Sequence, residues 1–173
     1  MTIDDKLIGI GVKKMLVVDD KTEHIEAAKK YFKDYKIPVD YASSEKQAIE
    51  MIYDAYKTQK YDIVLSDMQM EKSYSGAEVT GEAFKHQGLG IIVTGQDAGG
   101  HGHHAHGPST KILCGGLDKT IDGTKAHSDT WKQLAEATTE FIVGDGKRLY
   151  DALQRYHKYV SKPSDTIYGL DKL

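Results

Sequence analysis

The sequence predicts an α/β fold: a doubly wound, five-stranded parallel sheet with helices on both faces and a C-terminal helical extension. Three observations carry this reading. Short apolar runs at Met15-Leu16-Val17-Val18, Ile63-Val64-Leu65 and Ile91-Ile92-Val93 show no alternation, as expected of strands buried on both faces. Segments with helical spacing lie between them, and strand-helix alternation is the mark of a parallel sheet. The 173 residues, 39% hydrophobic and 28% charged, suit one soluble globular domain with a full core.

Residues 1–13 read as an N-terminal extension. Their Gly9-Ile10-Gly11 precedes the first strand instead of following it, so it lacks the geometry of a phosphate-cradling loop. After the first strand, Ile25, Ala28, Phe32 and Tyr35 fall on one helical face while Lys29, Lys30, Lys33 and Asp34 fall on the other. Pro38 ends that helix, and Ile37 to Tyr41 is the second strand. Ser44-Glu45-Lys46-Gln47 is a capping box opening a helix with a buried stripe of Ala48, Ile49, Ile52, Ala55 and Tyr56.

The third strand runs into Asp67. A loop through Ser73 to Gly76 and a helix near Ala77 to His86 lead to the fourth strand, Gly90 to Thr94. Residues 95–110, rich in glycine and histidine, read as a loop. Lys111-Ile112-Leu113-Cys114 is the fifth strand, and residues 120–125 are a polar connector. From Ser128, Trp131, Leu134, Ala135, Thr138, Phe141 and Ile142 share a helical face. Gly144-Asp145-Gly146 interrupts it, and Leu149, Leu153, Tyr156 and Val160 resume it before Pro163.

Bulk properties exclude several classes. A net charge of −3 without a basic cluster argues against nucleic acid as a partner. No apolar stretch approaches the ~20 residues of a transmembrane helix, and the first residues lack the pattern of a signal peptide. The single cysteine, Cys114, reads as a small buried apolar residue and fits a reducing compartment. The expected location is the cytoplasm.

Three strand ends carry polar groups: Asp19 and Asp20 after the first, Asp67 after the third, Thr94 after the fourth. In an open α/β sheet such groups converge on one crevice beyond the carboxyl ends of the strands. Clustered carboxylates need a cation, and oxygen-only ligation suits Mg²⁺. The chemistry that fits is phosphoryl transfer to a carboxylate. Taken alone, Asp19-Asp20 also reads as a helix cap.

Leu16-Val17-Val18-Asp19-Asp20, the run Tyr61-Asp62-Ile63-Val64-Leu65-Ser66-Asp67-Met68-Gln69-Met70, Gly76, and Ile91-Ile92-Val93-Thr94-Gly95 resemble the receiver domain of two-component response regulators. The likeness spans roughly residues 14–120, within a receiver-like unit at 14–127 followed by C-terminal helices at 128–173. It implies a flavodoxin-like sheet, with Asp67 as the phosphorylated nucleophile. Asp20 is then the principal Mg²⁺ ligand with Asp19 close by, the Gln69 main-chain carbonyl a further ligand, and Thr94 a contact of the phosphoryl group. The implied donor is a histidine kinase or phosphotransfer protein, and the output is altered binding to a protein partner. On this view the chain is not an enzyme.

The last third departs from the family pattern. Leu117-Asp118-Lys119-Thr120 matches the family's Leu-x-Lys, with Thr120 in place of proline and Gly116 at the aromatic position. Lys119 is therefore the expected lysine, and Lys162-Pro163 the rival. The helix between strands four and five is expected to be replaced by the loop carrying His101, His103, His104 and His106. Four imidazoles within six residues form a possible second metal site for Zn²⁺, Ni²⁺ or Cu²⁺.

Two other functions fit parts of the pattern. A pseudo-receiver scaffold would keep the fold without phosphorylation. A haloacid-dehalogenase-type phosphatase would need a second Asp two residues after its nucleophile, where Asp19 is followed by Lys21.

Overall fold

The structure is a computed structural model and describes residues 1–96 and 108–156. His101, His103, His104, His106 and Lys162 lie outside the described residues. The strands are β1 (Met15–Val18), β2 (Val39–Ala42), β3 (Ile63–Ser66), β4 (Leu89–Gln96), β5 (Ser109–Cys114) and β6 (Leu117–Asp122). The helices are α1 (Ile3–Gly9), α2 (Thr22–Phe32), α3 (Glu45–Tyr56), α4 (Ser75–Lys85), α5 (Ser128–Val143) and α6 (Lys147–Tyr156).

The sheet runs β2-β1-β3-β4-β5-β6. Its first four strands are parallel, with Val17 beside both Tyr41 and Leu65, and Leu65 beside Ile91. The sheet is built from two buried faces, which is why β1 and β3 are apolar at successive positions. Val17, Leu65, Ile91, Val93 and Ile112 belong to a core shared with α1, α2, α5 and α6. Leu16, Val18 and Val64 pack with Ala48, Ile52, Val79 and Ala83 of α3 and α4.

The expected five-stranded parallel sheet is corrected to a six-stranded mixed one. β5 pairs antiparallel with β4, Ile92 facing Leu113, and β6 pairs antiparallel with β5. A parallel neighbour needs a crossover of a dozen residues or more, usually a helix. No described helix lies between β4 and β5. β5 also alternates buried and half-exposed side chains, the pattern of a strand covered on one face. Gly115-Gly116 makes the two-residue turn between paired Cys114 and Leu117, with Gly116 at φ +105° in the left-handed region.

Two reversals in succession point β6 the same way as β4. The chain therefore leaves β6 at the edge where β1 and β3 end. Residues 120–122, expected in a connector, are the second half of this strand.

The N-terminal extension contains a short helix. Thr2 and Asp5 form a capping box, Thr2 Oγ1 accepting from the Asp5 N–H at 3.0 Å. Buried Asp4 accepts from the Lys36 N–H at 2.7 Å, tying α1 to the turn after α2. At the other end, α5 and α6 follow the expected break at Gly144 to Gly146, and Trp131, Leu134, Ile142, Tyr150 and Leu153 complete the first core. No described helix is long and apolar enough to cross a membrane.

Candidate functional site: an acidic cluster closed by a lysine

Backbone pairing places the first two carboxylates. The Asp19 N–H donates to Ala42 O at 3.1 Å and the Asp67 N–H to Val18 O at 2.9 Å, so each aspartate continues its strand by one residue. They therefore stand side by side at the carboxyl edge. Asp19 is fully buried, Asp67 nearly so, and Asp20 is exposed. One carboxylate oxygen from each of the three lies within 4.8 Å of the others.

The fourth member is Lys125. Its Nζ donates to Asp19 Oδ2 at 2.6 Å, Asp67 Oδ1 at 2.9 Å and Val93 O at 2.7 Å, with only 1% of the side chain exposed. A buried ammonium has three protons to place, and here each finds an acceptor. Several contacts deliver it. Gly123 turns the chain at φ +104°, its N–H donates to Pro108 O, and its carbonyl accepts from Thr110 Oγ1. A Cβ on Gly123 would meet Thr130 Oγ1 at 2.7 Å, so the turn sits hard against the start of α5.

The expected Lys119 is not at this cluster. It lies within β6, paired with Ile112 and exposed, because the strand continues past it to Asp122. Lys125 has no aromatic residue three positions before it and no proline after it, so the family's local pattern does not point to it. The Gly115-Gly116 hairpin signal does, once β6 is drawn as a strand returning to the site.

His24, which no sequence pattern marks, joins the cluster as well. Its Nδ1 is 2.9 Å from Asp19 Oδ2, and since a carboxylate only accepts, the imidazole donates. The Lys21 N–H supplies a third donor group, to Asp19 Oδ1 at 3.0 Å. Burial alone would raise the Asp19 carboxyl, but the His24 hydrogen bond and the charge and hydrogen bond of Lys125 outweigh it and hold it below its usual range. Asp20, though exposed, is shifted upward, first by partial desolvation beside the cluster and then by repulsion from Asp19 and Asp67.

Three carboxylates face one ammonium, and the oxygen-only donor set fits a hard cation such as Mg²⁺. Asp19 accepts from three donors, whereas among the described residues the Asp67 side chain accepts from Lys125 alone. Among the described residues, the hydrogen bond to the Asp67 side chain is at Oδ1 and none is made to Oδ2.

The loop after Asp67 is held close to it. The Gly76 N–H donates to Met68 O at 2.8 Å, and a Cβ on Gly76 would lie 2.3 Å from Asp67 O. Only glycine allows this approach. Gln69 is exposed within that loop. Thr94 is half-buried and follows Val93, whose carbonyl accepts from Lys125, so it stands at the same edge.

The family described as response regulator receiver domain matches residues 15–105, just over half of the chain. No curated protein and no solved structure matches.

Proposed function

The chain belongs to the response regulator receiver domain family, and from that premise we propose that it is a phosphoacceptor of two-component phosphorelay signalling, phosphorylated on Asp67. A histidine kinase or phosphotransfer protein is the donor. Asp67 Oδ2 forms the new bond to phosphorus as the donor's bond to phosphorus breaks, and the electron pair leaves with the donor. Asp20 and Asp67, with Asp19 close by and the Gln69 main-chain carbonyl, would hold Mg²⁺, which supplies charge neutralisation when bound. Thr94 hydrogen-bonds a phosphoryl oxygen, and Lys125, in place of the expected Lys119, pairs with the negative charge that builds up there. The protein works in the cytoplasm, not as an enzyme with a turnover substrate but as a switch whose phosphorylation changes affinity for a protein partner.

The observation that carries this reading is the buried ammonium joining Asp19 to Asp67, supported by two hydrogen bonds of 2.6 and 2.9 Å. A carboxylate hydrogen-bonded to an ammonium through one oxygen, with the other free of that bond, is a prepared nucleophile. The test is intact mass after incubation with Mg²⁺ and acetyl phosphate. The native protein gains one phosphate and Asp67→Asn gains none. A native protein that gains none beside an active control receiver would favour the pseudo-receiver scaffold instead.

A further inference from the structure

We propose that Trp131 is a positioning residue for Lys125, and that the state of Asp67 leaves the site through this link into the α2–α5 helix pair. The inference rests on Asp67 being the phosphoacceptor. Lys125 is held at both ends. Its ammonium is shared among Asp19, Asp67 and Val93 O, and its own main-chain carbonyl accepts from Trp131 Nε1–H at 2.8 Å.

Trp131 is completely buried in the first turn of α5, and its ring meets Phe32 of α2 edge to face at 6.2 Å between centroids. Its neighbour Thr130 backs the Gly123 turn at a distance that leaves no room for a Cβ. The lysine loop and the first turn of α5 therefore form one packed unit, and close-packed groups transmit displacement instead of absorbing it.

Phosphorylation changes what the ammonium faces. The Asp67 oxygen bonded to phosphorus loses its charge, and new anionic oxygens stand beyond it. Nζ must turn toward them, away from a position fixed by three acceptors. With the main chain tied to the indole, that turn pulls on Trp131 and through it on α5 and Phe32. No aromatic residue stands three positions before Lys125 to take up the motion, so the indole is the aromatic group in the path.

Trp131 is the only tryptophan, so its emission reads this link directly. In Lys125→Met, kept below its melting transition, the emission shifts even without phosphate, because the main chain loses its anchor at the site. An unchanged spectrum overturns the link. In the native protein with Mg²⁺ and acetyl phosphate, emission changes in step with the phosphate gained by mass, and neither changes in Asp67→Asn. Phosphate gained with constant emission overturns this proposal while leaving the phosphoacceptor reading intact. No phosphate gained, with a shift in Lys125→Met, overturns the transmission half and the phosphoacceptor reading together and leaves the positioning half standing.

Trp131→Phe keeps a ring and removes the N–H. Losing one hydrogen bond should slow phosphate uptake at saturating donor by about fivefold, with the half-saturating donor concentration unchanged. Native uptake in a folded Trp131→Phe overturns the positioning role. If that variant does not fold, the emission measurements decide alone.

Discussion

Lys125 Nζ lies 2.9 Å from Asp67 Oδ1, although 58 residues of chain separate them. The contact is buried, and the same ammonium also compensates the fully buried Asp19. Removing one partner of a buried ion pair costs about 3–5 kcal/mol, because the other charge is left uncompensated. Lys125→Met is expected to lower the melting temperature by roughly 10 °C in a chain of this size. Thermal unfolding followed by circular dichroism checks it, and a shift of under a few degrees would mean the ammonium is replaceable there.

Lys119 provides the control. Its side chain is exposed on β6 and remote in the pairing pattern from the three carboxylates. Lys119→Ala should change stability by no more than about 0.5 kcal/mol and leave phosphate uptake within roughly twofold of native. Intact mass over a time course distinguishes the two lysines.

The acidic trio predicts opposite responses to pH from its two neighbours. Asp19 is held below its ordinary value, so its contribution to stability is present above the usual carboxylate range and is lost as pH falls through its folded value. Asp20 is raised, so the penalty of ionising it grows as pH climbs from the ordinary carboxylate value through the folded one, and stays above that. Asp20→Asn should therefore raise the metal-free melting temperature at neutral pH. The gain is held under about 1 kcal/mol by solvent screening of an exposed group. The same variant should lose the Mg²⁺-dependent stabilisation of the native protein, which at a hundredfold excess over Kd is about 2.7 kcal/mol. A melting series with and without Mg²⁺ reads both effects.

Gly76→Ala tests the loop behind Asp67. A methyl group 2.3 Å from Asp67 O and 2.7 Å from Met68 Cα cannot be accommodated without moving backbone. Overpacking of this kind costs about 1–3 kcal/mol, at the upper end where main chain must shift. The expected variant is less stable and slower to take up phosphate. Native melting and native uptake together would show that the loop relaxes freely.

What the sequence made legible follows from how local the signal is. Buried parallel strands announce themselves as unbroken apolar runs, so the ends of β1 and β3 are legible, and with them Asp19, Asp20 and Asp67. The Ser44 cap was equally readable, its side chain accepting from the Gln47 N–H at 3.0 Å. Strand direction is different, because it is set by which partner a strand meets. Residues 111–114 read as a strand in either sense, and only the Gly-Gly pair after Cys114 signals reversal. With β5 parallel, Lys119 falls at its carboxyl end and Lys125 in a connector. The α1 helix was hidden by its brevity, although Thr2 and Asp5 carried its cap.

The far edge of the sheet gives Lys119 a different meaning. β6 is the last strand in the order, with one side unpaired by any other strand among the described residues. Such a side is a template on which a second molecule can lay a strand of its own. Asp118, Lys119, Thr120 and Asp122 are all exposed there, three of them charged, and only Ile121 is buried. Another strand settling against this row would have to strip water from those charges. The strand that carries Lys119 away from the acidic cluster thus places it in this charged row, where it disfavours a further strand.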